Sequence, residues 1–161
     1  MATRATEHRE PSADPVLVTV DDVRAARERI AGVLRPTPAG GSDALSRLVG
    51  RPIVLKPEHL QRTGSFKIRG AYNRISRLEP GAQGVAGSAG NHAQGVALAA
   101  TLTGHEATIF MPASAPLPKV DATTAYGATV RPGGETIDDS IVAAKRFAQE
   151  HGAATRPSLA T

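Results

Sequence analysis

Apolar positions along the chain change their spacing from segment to segment, and those changes mark out the elements. Val23, Ala26, Ile30 and Val33 recur at helical intervals. Thr19 and Asp22 precede them at capping-box spacing, with Asp standing in for the usual Glu. This helix should stop before Arg35-Pro36-Thr37-Pro38, because a residue ahead of proline is pushed towards extended backbone. A short helix is expected from Ser42 to Val49, closed by Gly50. Ile53-Val54-Leu55, behind Pro52, reads as a short strand. Past Thr63-Gly64-Ser65, which looks like a helix start, Ile68, Ala71, Ile75 and Leu78 keep one apolar face until Pro80-Gly81 ends the element.

From Gly81 onward the chain repeats a strand–turn–helix rhythm. Val85-Ala86 leads into Ser88-Ala89-Gly90-Asn91 and then an alanine-rich helix reaching Gly104. Ala107 to Met111 is the next strand, and a helix with Pro118 near its start runs to Gly127. Ala128 to Val130 forms a third strand, and Ile137, Ile141, Ala144 and Ala148 mark a long helix ending at Gly152. Short strands alternating with helices of about 10–15 residues predict an α/β fold, a parallel sheet with flanking helices. Another strand is due after Gly152, but the stretch from Ala153 to Ser158 does not carry its pattern. Residues 1–18 lack periodicity and read as a disordered tail. Gly40-Gly41 and Gly133-Gly134 read as turns, since neither forms a GxGxxG or Walker pattern.

Composition narrows the function classes. The 161 residues suit one domain, and the absence of cysteine excludes disulfides and thiolate metal sites. No run of about 18 apolar residues occurs, so no membrane span or membrane partner is expected. The first 15 residues lack the apolar stretch of a secretory signal, so the expectation is a cytoplasmic protein. Net charge is +4, but no block of basic residues occurs and aromatics are only 3%, so nucleic acid is not expected as a partner.

Three features could carry chemistry. Lys67 stands at the first turn of a helix, where position alone suggests a solvated surface amine. Burial would instead lower its pKa, as would the positive end of the helix, and leave it nucleophilic near neutrality. Ser88-Ala89-Gly90-Asn91 lies between strand and helix. It reads either as a tight turn with Asn91 as N-cap, or as small residues that let backbone N–H groups approach a carboxylate or phosphate. His92 beside it is either structural or an acid–base group. Lys56 and Lys119 lack the loop-to-helix context of Lys67.

As strings, these segments say more. The stretch Lys56 to Ala71, KPEHLQRTGSFKIRGA, closely resembles the lysine motif of the pyridoxal-phosphate-dependent threonine dehydratases. Ser88 to Gly95, SAGNHAQG, resembles that family's second signature, at the right distance downstream. Arg35-Pro36-Thr37-Pro38, Ala115-Pro116-Leu117-Pro118-Lys119 and Tyr126-Gly127-Ala128 are similar to it as well. The resemblance covers residues 19–153.

It implies part of the two-domain, tryptophan-synthase-β-like fold (fold type II), with residues 19–52 starting the large domain and 53–153 forming the small α/β domain. By the same resemblance, Lys67 holds pyridoxal 5′-phosphate through a Schiff base. Asn91 bonds the pyridine 3′-oxygen, Phe66 packs near the ring, and the loop Ser88, Ala89, Gly90, Asn91, His92 takes the substrate carboxylate. The implied reaction is elimination of the β-hydroxyl from threonine or serine, giving 2-oxobutanoate or pyruvate with ammonia. Family members assemble as homo-oligomers, which is not expected of a partial chain. Related serine racemases carry a second serine where Ala89 stands, and a racemase needs a proton donor on the opposite face that alanine lacks.

Three departures accompany the resemblance. The stretch Gly84-Val85-Ala86-Gly87-Ser88 is one residue shorter than the family's usual strand into this loop, and a one-residue loss can turn a strand inside out or move the loop. Residues 154–161 are expected to be a tail outside the family, with a shifted reading frame or premature stop as the suggested cause. The family's remaining half, expected to be missing, supplies the glycine-rich phosphate loop and the partner of the pyridine nitrogen. The leading expectation is therefore a truncated dehydratase inactive by itself. Another enzyme of the same fold, such as a threonine synthase, and a non-catalytic fragment are the alternatives.

Overall fold

A computed structural model describes residues 17–155; most of the expected N-terminal tail, and the chain after Thr155, lie outside it. The elements are α1 (Val20–Ile30), β1 (Gly40–Gly41), α2 (Asp43–Val49), β2 (Val54–Leu55), α3 (Lys67–Ile75), β3 (Gly84–Gly87), α4 (Asn91–Thr103), β4 (Ala107–Met111), α5 (Leu117–Ala125), β5 (Thr129–Pro132), α6 (Ile137–His151) and β6 (Ala154–Thr155). Residues Glu58–Leu60 add one 3-10 turn.

Strands β5-β4-β3-β6 form one sheet in that order, every pair parallel. Strand alternation decides which helix each side chain meets. Ala86 and Ile109 turn towards the cluster that includes Ile68, Val96 and Ala97 of α3 and α4, while Val85 and Phe110 pack against Ala144 and Ala148 of α6. Helices therefore cover both faces, as a parallel sheet requires. Ile68 and Ile109 are fully buried, each contributing about 2–3 kcal/mol of transfer free energy. Residues Ala93 to Ala100 of α4 are buried on all sides, so its apolar residues show little one-sidedness.

Helix ends follow their local chemistry. Thr19 and Thr136 both form complete capping boxes with Asp22 and Asp139. Gly50, Gly104 and Gly152 close α2, α4 and α6 in the left-handed conformation. Gly87 is needed for contact: a Cβ there would stand 2.5 Å from the Ser140 carbonyl oxygen of α6.

Several expectations are corrected. Gly40-Gly41 is not a turn but the strand β1, paired antiparallel with β2 through Gly40–Leu55 and Gly41–Val54. The strand due after Gly152 exists: Ala154–Thr155 pairs parallel with Gly84 and Val85. The stripe on α1 finds a partner at one end only. Val20 and Val23 are exposed, whereas Ile30 and Val33 pack on the core and Leu34 is buried. On α6 the buried face is Ser140, Ala144 and Ala148, with Ile137 exposed.

Candidate active site

The loop leaving β3 sits at the carboxyl edge of the sheet, where β4 follows on one side of β3 and β6 returns on the other. Such a switch in strand order opens a crevice, the preferred ligand position in open α/β sheets. Ser88 N–H donates to the Phe110 carbonyl, which fixes the loop to β4 at 3.0 Å. Ser88 Oγ accepts from Gly90 N at 3.4 Å. The helix begins one residue earlier than Asn91 as N-cap would require: Gly90 is the N-cap, and Asn91 is the first residue of α4.

Helix α3 is laid directly on α4. A Cβ on Gly95 would stand 3.2 Å from Ile68 N and 3.3 Å from the Lys67 carbonyl carbon. The glycine thus admits the first turn of α3, and with it Lys67, to the beginning of α4. The loop ahead of Lys67 is tied at several points. Gln61 Nε2 donates to the Arg35 carbonyl at 2.7 Å, and the Tyr126 hydroxyl donates to the Arg62 carbonyl at 3.2 Å. Ser65 Oγ accepts from Lys67 N at 3.3 Å. Arg69 grips Glu58 with both arms, Nε to Oε2 at 2.8 Å and Nη2 to Oε1 at 2.9 Å. Thr37 also donates to Glu58, and Lys56 Nζ donates to the Thr37 carbonyl at 2.9 Å. The Arg69 guanidinium holds the Glu58 carboxyl below the usual range; burial opposes this, and the Thr37 hydroxyl adds to the lowering.

Of the residues singled out by sequence, Lys67 and His92 lie close enough for the charge of one to act on the other, Asn91 shares the first turn of α4 with His92, and Phe66 is the N-cap ahead of Lys67. Lys67 and Phe66 are exposed, while Ser88 to His92 are half-buried. Burial lowers the pKa of His92, and the nearby positive charge of Lys67 lowers it further. Both effects favour the neutral imidazole. Lys119, which sequence reasoning set aside, belongs here too. It occupies the first turn of α5, and its Nζ donates to Asn91 Oδ1 at 3.2 Å. This corrects the expectation that Lys119 lacks a loop-to-helix context: Pro116 is the N-cap of α5 and Lys119 lies in its first turn.

The electrostatics favour an anion. Helices α1, α2 and α6 each carry Asp in the first turn and a side-chain cap. Neither α3 nor α4 has either, and both begin at the site. The remaining first-turn N–H groups of these two helices, with the Lys67 and Lys119 side chains, leave this end of the sheet positive. That charge suits an anionic group such as a phosphate or carboxylate, and the Phe66 ring is exposed next to Lys67. Nothing lies within 4 Å of the Cβ position of Gly90, leaving room at the mouth of the loop.

The profile of the family described as "Pyridoxal-phosphate dependent enzyme" matches residues 30–160, past the limit at residue 153 expected from sequence. An L-threonine ammonia-lyase of Thermotoga maritima is 47% identical over 140 residues, 85% of this chain and 35% of that protein. An L-threo-3-hydroxyaspartate ammonia-lyase of a Pseudomonas species is 45% identical, over 88% of this chain and 46% of its own length. The chain thus spans less than half of these relatives. Among solved structures, the threonine deaminase of T.th. superposes with a TM-score of 0.75 at 41% identity, covering 86% of this chain and 44% of that one. Maize serine racemase gives 0.75 at 37%, covering 86% and 43%.

Proposed function

Because the chain belongs to the pyridoxal-phosphate-dependent enzyme family, we propose that it carries the lysine-bearing half of a threonine or serine ammonia-lyase site. The packing of the Lys67 backbone against Gly95 of α4, with the Lys67 charge acting on His92 in the first turn of that helix, is the observation that carries this reading. When bound, pyridoxal phosphate supplies an electron sink for the pair left behind when the substrate Cα proton departs.

The remaining roles belong to the protein. Lys67 Nζ would anchor the cofactor covalently, and its free amine would be the base that accepts the substrate Cα proton. The amide of Asn91 would donate to the pyridine 3′-oxygen. The backbone N–H groups of the Ser88–His92 loop, at the positive end of α4, orient the substrate carboxylate. His92, neutral and half-buried, adds no second charge beside Lys67. The outcome is release of the β-hydroxyl as water, then a 2-oxo acid and ammonia: 2-oxobutanoate from threonine, pyruvate from serine.

The similarity to serine racemase raises a second reading, and Ala89 weighs against it. Its methyl group cannot return a proton to the opposite face of the substrate. Borohydride reduction of the protein with pyridoxal phosphate, followed by peptide mapping, tests the assignment. The adduct is expected on Lys67; an adduct mainly on Lys56, Lys119 or Lys145 overturns it.

A further inference from the structure

Lys119 is placed against the grain of its surroundings. A cation in the first turn of α5 opposes the helix dipole, and it faces the equally positive start of α4. Among the described residues no carboxylate pairs with it; its ammonium donates to the Asn91 side chain instead. The contact is not required to hold the two helices together. Thr101 Oγ1 of α4 donates to the Tyr126 carbonyl at the end of α5 at 2.7 Å. Thr123 of α5 is fully buried, with its hydroxyl donating to the Lys119 carbonyl at 2.7 Å.

An ammonium group can only donate, whereas a primary amide has one accepting and one donating end. Whatever faces Lys119 Nζ must therefore be the amide oxygen. We infer that Lys119 is a positioning residue: it holds Asn91 Oδ1 on its own side and so commits Asn91 Nδ2 to the site beside Lys67. This inference rests on the proposed function, in which Asn91 Nδ2 donates to the pyridine 3′-oxygen. Without Lys119 the amide is free to turn over, presenting an acceptor where a donor is required.

The test uses the full chain labelled with 15N, as Lys119→Met, which keeps most of the aliphatic stem, and Lys119→Leu as a second variant without a donor. In the ligand-free protein the Asn91 side-chain amide resonances should shift and become more mobile in both variants, with backbone resonances of α3 unmoved. Lys119→Arg, which keeps a cationic donor, should restore them at least in part. Unmoved Asn91 amide resonances in whichever variants fold overturn the inference.

The second readout is the concentration of pyridoxal phosphate that half-saturates reducible labelling of Lys67. Lys119→Met should raise it about fivefold, on the scale of one charge-assisted hydrogen bond acting indirectly. In an Asn91→Ala background the same substitution should change it less than about twofold, the signature of action through one partner. An equal loss in both backgrounds overturns the positioning role. Absence of any Lys67 labelling in the unsubstituted protein overturns the proposed function instead, and the amide spectrum then still decides whether Lys119 orients Asn91.

Discussion

Replacing Gly95 with alanine sets two effects against each other, and the structure decides which prevails. Within a helix, alanine is favoured over glycine by about 0.8–1 kcal/mol. At Gly95, however, the new Cβ would lie 3.2 Å from Ile68 N and 3.4 Å from Ile68 Cα, closer than ordinary contact. The atoms in the way are backbone at the first turn of α3, so α3 must retreat by a few tenths of an ångström. Overpacking of this kind costs about 1–3 kcal/mol. Net destabilisation of about 0–2 kcal/mol is expected, together with weaker labelling of Lys67, whose own carbonyl carbon is 3.3 Å from the added methyl. Gly70 on α3 is the matched control, since nothing lies within 4 Å of its Cβ position. Gly70→Ala should therefore stabilise by about 0.8–1 kcal/mol. Urea unfolding of both variants provides the assay. If Gly95→Ala stabilises as much as Gly70→Ala, the close α3–α4 packing is wrong.

Three further outcomes are expected. Glu58→Gln should cost about 1–3 kcal/mol by breaking the two-armed Arg69 contact. Because the folded-state pKa of Glu58 is depressed, its contribution is present above the ordinary carboxylate range and lost as pH falls through the folded value; acid unfolding of the variant should show a correspondingly smaller pH dependence. NMR titration should place His92 below its ordinary 6.5, so its protonation opposes folding as pH drops below that value. Lys67→Met should raise the His92 pKa only part of the way back, since burial is the larger cause, and no rise would separate the two residues. A polypeptide of these 161 residues, spanning 35–46% of its curated relatives, should bind pyridoxal phosphate weakly and release no 2-oxobutanoate from threonine. Tight stoichiometric binding or cofactor-dependent turnover would refute that.

Local physics was legible in the sequence wherever it was decided locally. The capping box at Thr19, glycine stops at Gly50, Gly104 and Gly152, and the β/α rhythm after Gly81 depend on neighbours a few residues apart. The two strings around Lys67 and Asn91 likewise located the chemistry before any contact was known. Tertiary structure decided the rest, because it depends on residues far apart in the chain. Gly40-Gly41 becomes a strand only through pairing with Val54-Leu55, and Ala154–Thr155 only because β3 offers a free edge. The stripe on α1 looked uniform, yet only its C-terminal end reaches the core. Gly95 could be read as part of a motif, but its reason is the Lys67–Ile68 backbone lying against it. Lys119 and Asn91 stand 28 positions apart, and no local pattern announces their bond. Sequence spacing fixes which face of a helix a side chain occupies; only the docking of α3, α4 and α5 fixes what it meets.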